Sequence, residues 1–162
     1  MSDQPRKPTF ASLTLNNLGT VKQLNSVLFP IRYSPKFYAE ILEPSVEDFC
    51  KLVYYNDIPV GIVCCRLESS QDGTETSLYI ATLGILAPYR SRRLGSTSLQ
   101  LVLDAAVAHT KPKIDRIYLH VQTSNTEAKK FYERHGFTEV ALQENYYKKI
   151  EPHSAWVLEK RL

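Results

Sequence analysis

The stretch LGILAPYRSRRLGSTSL, Leu83 to Leu99, joins an apolar strand to a helix through a turn rich in arginine and small residues. In it, Arg92 stands three residues before Gly95, and Gly95 is expected to open an amphipathic helix. Leu99, Val102, Leu103 and Ala106 then fall at i, i+3, i+4 and i+7, on one helical face. A helix N-terminus offers unpaired N–H groups and the positive end of a dipole, which together suit a phosphate. Gly95 would let a ligand approach the backbone, Arg92 and Arg93 would add charge-assisted contacts, and Ser96, Thr97 or Ser98 would cap the helix. The turn reads as a pyrophosphate cradle. An arginine and a glycine before a helix are equally ordinary capping chemistry, so the surrounding elements must decide.

Upstream, residues 10–15 alternate like a strand, and residues 20–28 place Val21, Leu24, Val27 and Leu28 at helical spacing until Phe29-Pro30 stops the helix. Short helices are expected over 35–42 and from Ser45. Residues 52–55 and 60–67 flank Asn56-Asp57 as a hairpin, and the turn at Gln71-Asp72-Gly73 leads to a strand over 77–86. Downstream, the helix runs to about His109, and residues 117–121 alternate as a strand. Ser124-Asn125-Thr126-Glu127 resembles a capping box for a helix that ends at Gly136. Residues 137–142 and 155–160 read as a closing pair of strands. The order β, α, α, β, β, β, α, β, α, β, β predicts an α/β fold: a mixed, mostly antiparallel sheet flanked by helices, with one parallel junction after the arginine turn. Ligands of such sheets bind where neighbouring strands diverge at their carboxyl ends.

With 162 residues, the chain is expected to form one domain over 9–162 behind a tail of residues 1–8. A net charge of +3 and 23% charged residues give only a mildly basic chain, which argues against a dedicated nucleic-acid binder. The N-terminus lacks an apolar leader-like run and no stretch approaches membrane-spanning length, so the expected compartment is the cytoplasm, with the nucleus as a second. Cys50, Cys64 and Cys65 lack metal-ligand spacing and read as small core residues of a reducing compartment. No metal site is expected. His120 shares a strand face with Tyr118, opposite Ile117, Leu119 and Val121. A histidine there serves equally as a structural hydrogen-bonding group or as a base. The Tyr146-Tyr147 pair reads as a packed hairpin rim or as a wall opposite Phe29-Pro30 able to bond a peptide backbone.

These elements, with an R-x-x-G-x-small turn after the fourth strand, resemble the GCN5-related N-acetyltransferase fold. The segments FPIRY (29–33), YYNDI (54–58), YIATLG (79–84), LAPYR (86–90), YLHVQ (118–122), FYERHGF (131–137) and NYYKKIEP (145–152) further resemble the N-alpha-acetyltransferase 50 family, the catalytic subunit of NatE. That resemblance spans about residues 9–162. It implies acetyl transfer from acetyl-CoA to the α-amine of polypeptides that keep methionine before a hydrophobic or similar residue. By position it implies Tyr79 and His120 as the catalytic pair. Phe29, Pro30, Ile31, Tyr33, Tyr146, Tyr147 and Ile150 would bind peptide. Leu83, Gly84, Ile85, Leu86, Arg92, Arg93, Leu94, Gly95, Ser96, Thr97, Ser98, Asn125 and Tyr132 would surround the cofactor. The partners it implies are the N-terminal peptide, the large auxiliary and catalytic subunits of the NatA complex and, indirectly, the ribosome, with no direct nucleic-acid or membrane contact.

Thr97 departs from the family pattern, which has Gly or Ala there, and two extra residues separate Pro88-Tyr89 from the glycine turn. A β-branched residue would crowd the pyrophosphate, or its hydroxyl would donate to it. Two further functions therefore stay open beside the first: a weakly active binding subunit of the NatA assembly, and an acetyltransferase for internal lysines or small amines. Tyr79 is expected to hold a water that passes the proton to His120, and backbone N–H groups near Leu83 to polarise the thioester carbonyl. Tyr132 reads either as a proton donor to the leaving thiolate or as a packed ring.

Overall fold

A computed structural model describes residues 6–162, so residues 1–5 of the expected tail lie outside the described part. The elements are β1 (Thr9–Ser12), α1 (Leu18–Leu28), α2 (Pro35–Glu40), a 3-10 turn (Pro44–Phe49), β2 (Lys51–Tyr55), β3 (Ile58–Ser69), β4 (Thr76–Ile85), a 3-10 turn (Ala87–Tyr89), α3 (Leu94–Ala108), β5 (Arg116–Gln122), α4 (Thr126–Arg134), β6 (Thr138–Gln143) and β7 (Ala155–Arg161). Among the described residues the seven strands have the order β1-β2-β3-β4-β5-β7-β6, and β4–β5 is a parallel pair. The chain divides into two compact units, residues 6–66 with 82–108, and residues 67–81 with 109–162.

In the first unit, β1 pairs with β2 and β2 with β3, both antiparallel. Asn56 and Asp57 both have positive φ, 51° and 64°, as the tightest hairpin turn requires, and short polar side chains tolerate that conformation. Phe49, Leu52, Ile62 and Leu99 are fully buried, and α3 packs on the turn Pro44–Phe49. A cluster of Val53, Val60, Ile85 and Leu94 links the hairpin to the start of α3. In α1 the buried stripe is Val21, Leu24 and Asn25, whereas Val27 is exposed, contrary to the sequence reading. At 100° per residue, positions 21, 24, 25 and 28 share one face and position 27 lies off it.

The arginine turn also differs from expectation. Helix α3 starts at Leu94, so Gly95 is its second residue. Thr97 and Ser98 do not cap: their hydroxyls donate back to the carbonyls of Arg93 and Leu94, at 2.8 and 2.7 Å, as hydroxyls inside a helix do. Ser91 and Arg93 have positive φ, 65° and 60°, which lets the chain reverse just before the helix.

In the second unit, β5 pairs with β7 over seven residues, and β7 pairs with β6. Leu78, Ile117, Phe137 and Leu158 form the fully buried part. The expected capping box is replaced by Asn125, whose side chain accepts from the Ala128 N–H at 3.2 Å. Its backbone carbonyl takes the Lys129 N–H, so α4 begins one residue later than a Ser124 cap would set it. Gly136, at φ 90°, ends the helix as predicted. All six residues of β6 are exposed, and the strand carries a bulge between Glu139 and Ala141.

Candidate active site

The parallel ladder pairs Ser77 with Arg116, Leu78 with Ile117 and Tyr79 with Tyr118, and both strands run on beyond it. Tyr79 therefore sits at the carboxyl end of the ladder, and His120 lies two residues past Tyr118. Strict alternation buries Ile117, Leu119 and Val121, leaving Tyr118 and His120 on the other face. The Tyr79 hydroxyl lies 2.9 Å from His120 Nδ1 and 3.0 Å from the Tyr146 hydroxyl. The Tyr146 ring stacks on the His120 imidazole at 3.9 Å with planes 9° apart. On the far side of the imidazole, Nε2 lies 2.9 Å from Gln143 Oε1. The structure thus brings Tyr79, His120 and Tyr146 together and adds Gln143, which the sequence reading did not single out. The Tyr79 hydroxyl and the His120 imidazole are bonded to each other directly.

Behind this pair, the Tyr118 ring lies 4.8 Å from that of Tyr79, and its hydroxyl donates to the Glu68 carboxylate. Arg116 covers the Tyr118 ring at 4.2 Å and is itself held by Glu159 at 3.0 Å and Ser77 at 2.8 Å. Tyr118 is thereby oriented from three sides, and its ring fixes that of Tyr79. Burial, with the neighbouring Tyr146, pushes the Tyr147 phenol up to about 12, so it stays neutral over the range in which an enzyme works. The Tyr147 N–H donates to the His153 carbonyl at 2.8 Å, and His153 Nδ1 to the Tyr147 carbonyl at 2.7 Å, which ties this loop to itself. Ile150 is half-buried in the same loop.

The other expected peptide-binding residues belong to the first unit. Phe29 meets Tyr33 edge-on at 6.5 Å, and Tyr33 stacks on Phe37 at 4.5 Å, while Pro30 and Ile31 are exposed. Gly84 serves this loop: a Cβ there would stand 3.0 Å from Phe29 Cζ and 3.2 Å from Leu28 Cδ1. The missing side chain lets Phe29 lie on β4.

Of the residues expected around the cofactor, Ile85 and Leu94 have their side chains in the core cluster, and Leu86 donates its N–H to the Val60 carbonyl at 2.8 Å. Leu83 is half-buried. At the turn, the first intrahelical bond of α3 is Thr97 N–H to the Arg93 carbonyl, 2.9 Å, so the amides of Leu94, Gly95 and Ser96 precede it. Arg90, Arg92 and Arg93 are exposed beside them; Arg90 donates to the Ile85 carbonyl at 3.0 Å and Arg92 rests 5.4 Å over the Tyr55 ring. Forward amides at a helix dipole's positive end, flanked by guanidinium groups, fit a pyrophosphate. Asn125 is occupied as the α4 cap, and Tyr132 is buried with Phe131 and Phe137 around its ring at 5.0 and 5.5 Å.

Residues 18–137 match the acetyltransferase (GNAT) family, and fold and site together define an acetyltransferase of that class. N-alpha-acetyltransferase 50 of Danio rerio is 47% identical over 150 residues, covering 93% of this chain and 86% of its own. The probable N-acetyltransferase san of Drosophila melanogaster is 43% identical over the same share of this chain and 78% of its own. Among solved structures, Arabidopsis thaliana Naa50 in complex with the bisubstrate analogue CoA-Ac-MVNAL superposes with a TM-score of 0.86 at 44% identity, covering 96% of this chain and 99% of that one. The chain belongs to the N-alpha-acetyltransferase 50 family, whose members are acetyl-CoA-dependent N-terminal acetyltransferases.

Proposed function

We propose that this protein acetylates the α-amine of polypeptides beginning with methionine before a hydrophobic or similar residue, working in the cytoplasm beside the NatA complex and through it at the ribosome. The observation that carries the chemistry is the 2.9 Å bond between the Tyr79 hydroxyl and His120 Nδ1. An α-amine has a reference pKa of about 7.7–8.0 against about 10.4 for lysine, so a base near neutrality suffices for the first and falls short for the second. Imidazole is such a base.

Acetyl-CoA, when bound, supplies the activated thioester carbonyl. Arg92, Arg93 and the leading amides of α3 would hold its phosphates. The amine's proton passes to the Tyr79 oxygen as Tyr79 gives its own to His120 Nδ1, so tyrosine ends unchanged and the imidazole ends protonated. By the family resemblance, Phe29, Pro30, Ile31 and Tyr33 of the first unit and Tyr146, Tyr147 and Ile150 of the second are the residues that would bind the peptide. The Arabidopsis analogue, whose peptide part is MVNAL, supports a methionine-first substrate.

The test is a peptide panel (Met-Leu, Met-Glu, Ser-Glu and an internal lysine, other amines blocked) incubated with acetyl-CoA and read by mass spectrometry. Acetylation of the Met-Leu peptide ahead of Ser-Glu and lysine is the expected result. Lysine modified as fast as Met-Leu would overturn the reading. Co-purification with the large NatA subunit tests the partner separately.

A further inference from the structure

We infer that Gln143 is a positioning residue: its side-chain carbonyl fixes His120 in the tautomer whose Nδ1 lone pair receives the proton passed on by Tyr79. This rests on the acetyl-transfer reading above. A neutral imidazole has one N–H and one lone pair. Gln143 Oε1 only accepts, so an Nε2 that lies 2.9 Å away carries the hydrogen, because two lone pairs at that distance would repel. Nδ1 is then the acceptor of the Tyr79 hydroxyl at 2.9 Å, and the Tyr79 oxygen accepts from Tyr146 at 3.0 Å. Tyr146 to Tyr79 to His120 to Gln143 is one chain of donors pointing the same way, each polarising the next. When the imidazole becomes cationic, Gln143 already accepts from it, and that bond strengthens with the charge.

Gln143 reaches this position through the bulge in β6. His120 lies opposite Val157 across β5–β7, and Val157 lies opposite Ala141 across β7–β6, so these three share a face, and Gln143, two residues on from Ala141, shares it too. Glu139 lies opposite Leu158. An uninterrupted ladder would have set Val140 against Val157 and turned Gln143 to the opposite face. Among the groups facing His120 are Tyr79 from β4, Tyr118 from β5, Tyr146 from the β6–β7 loop and Gln143 from β6, with Glu68 and Arg116 beyond Tyr118.

The experiment combines nitrogen-15 NMR of the His120 ring with pH profiles of kcat/KM on the Met-Leu peptide for the unmutated protein, Gln143→Leu and Gln143→Glu. Gln143 is exposed on an edge strand, so the variants are expected to fold, which circular dichroism checks. The unmutated ring should carry its hydrogen on Nε2. Gln143→Leu should mix the tautomers and lower kcat/KM by roughly tenfold, mostly in kcat, since a hydrogen bond to a charged group is lost. Gln143→Glu should keep the tautomer and move the acidic limb of the profile to higher pH, because a carboxylate favours the imidazolium. Hydrogen on Nδ1 in the unmutated protein, or a Gln143→Leu enzyme with unchanged ring and profile, would overturn the inference. Should the unmutated protein acetylate no peptide, the acetyl-transfer reading fails, while the ring spectra still decide the tautomer.

Discussion

In the proposed mechanism His120 and Tyr79 would carry complementary roles across their one hydrogen bond. Removing the base in His120→Ala is expected to cut kcat by roughly 10²-fold or more with the fold intact, whereas Tyr79→Phe leaves the base but breaks the relay to it. Near-normal turnover of His120→Ala at neutral pH would remove the histidine from the mechanism. Thr97 now has a defined partner, because its hydroxyl donates to the carbonyl of left-handed Arg93, and its methyl is then the group that would meet a bound phosphate. Thr97→Gly should therefore tighten acetyl-CoA binding in a calorimetric titration despite the helix penalty of about 1 kcal/mol. Weaker binding would mean that the threonine side chain contributes to the cradle. The three buried thiols and the half-buried Tyr147 phenol set the alkaline limit of the fold, since burial pushes all four up. Burial raises the Cys50 thiol from 9.0 to about 11 and the Tyr147 phenol from 10.0 to about 12. In each case the fold favours the protonated form, so the stability is complete below the unfolded values and is lost as pH rises through the folded ones. Urea midpoints should hold to about pH 9 and then decline toward pH 11–12. A midpoint flat to pH 11 would contradict this.

Strand β4 shows how sequence and packing divide the information. Its apolar run, the arginine turn and the amphipathic α3 follow from residue types at fixed spacings, and the structure places all of them within a residue or two of expectation. Alternation in β5 likewise set His120 opposite the buried Ile117, Leu119 and Val121. The bulge in β6 was not legible, because a single inserted residue leaves no periodicity in a strand with all six side chains exposed, and Gln143 was missed with it. Nor was the Asn25 face of α1, since an asparagine gives no hydrophobic signal. Glycines in the strands were ambiguous until their neighbours were known. At Gly61 an added Cβ would stand 2.8 Å from the Gly84 carbonyl oxygen, a backbone atom that cannot turn aside. Gly61→Ala is expected to destabilise by about 1–3 kcal/mol, as overpacking does. Gly84→Ala meets the movable rings and methyls of Phe29 and Leu28 and should mainly raise KM for Met-Leu peptides by shifting Phe29. A thermal melt of both variants distinguishes them: a loss at Gly84 as large as at Gly61 would contradict the assignment.

At the scale of the whole molecule, the three thiols are buried, so none should react with Ellman's reagent at neutral pH until denaturant opens the fold. Substrate choice is also a property of the assembled protein. A pocket that encloses a methionine side chain gains about 1.5–3 kcal/mol, so kcat/KM for Met-Leu over Ser-Glu peptides should differ by roughly 10- to 150-fold. Equal rates would mean that the first side chain is not read. The bulged edge of the sheet has a further bearing on how the protein behaves in solution. Among the described residues β6 is one of the two terminal strands, with its outward N–H and C=O row available to any other extended chain. A flat strand there would zip onto its counterpart in a neighbouring molecule, but the inserted Val140 kinks it, and the Glu139 carboxylate, paired to Lys129 at 2.8 Å, places charge at the kink. Excising Val140 would straighten the edge while leaving Ala141 opposite Val157 and Gln143 opposite Ala155, so colloidal stability should fall in that deletion while turnover is kept, visible by light scattering and by assay of the same sample.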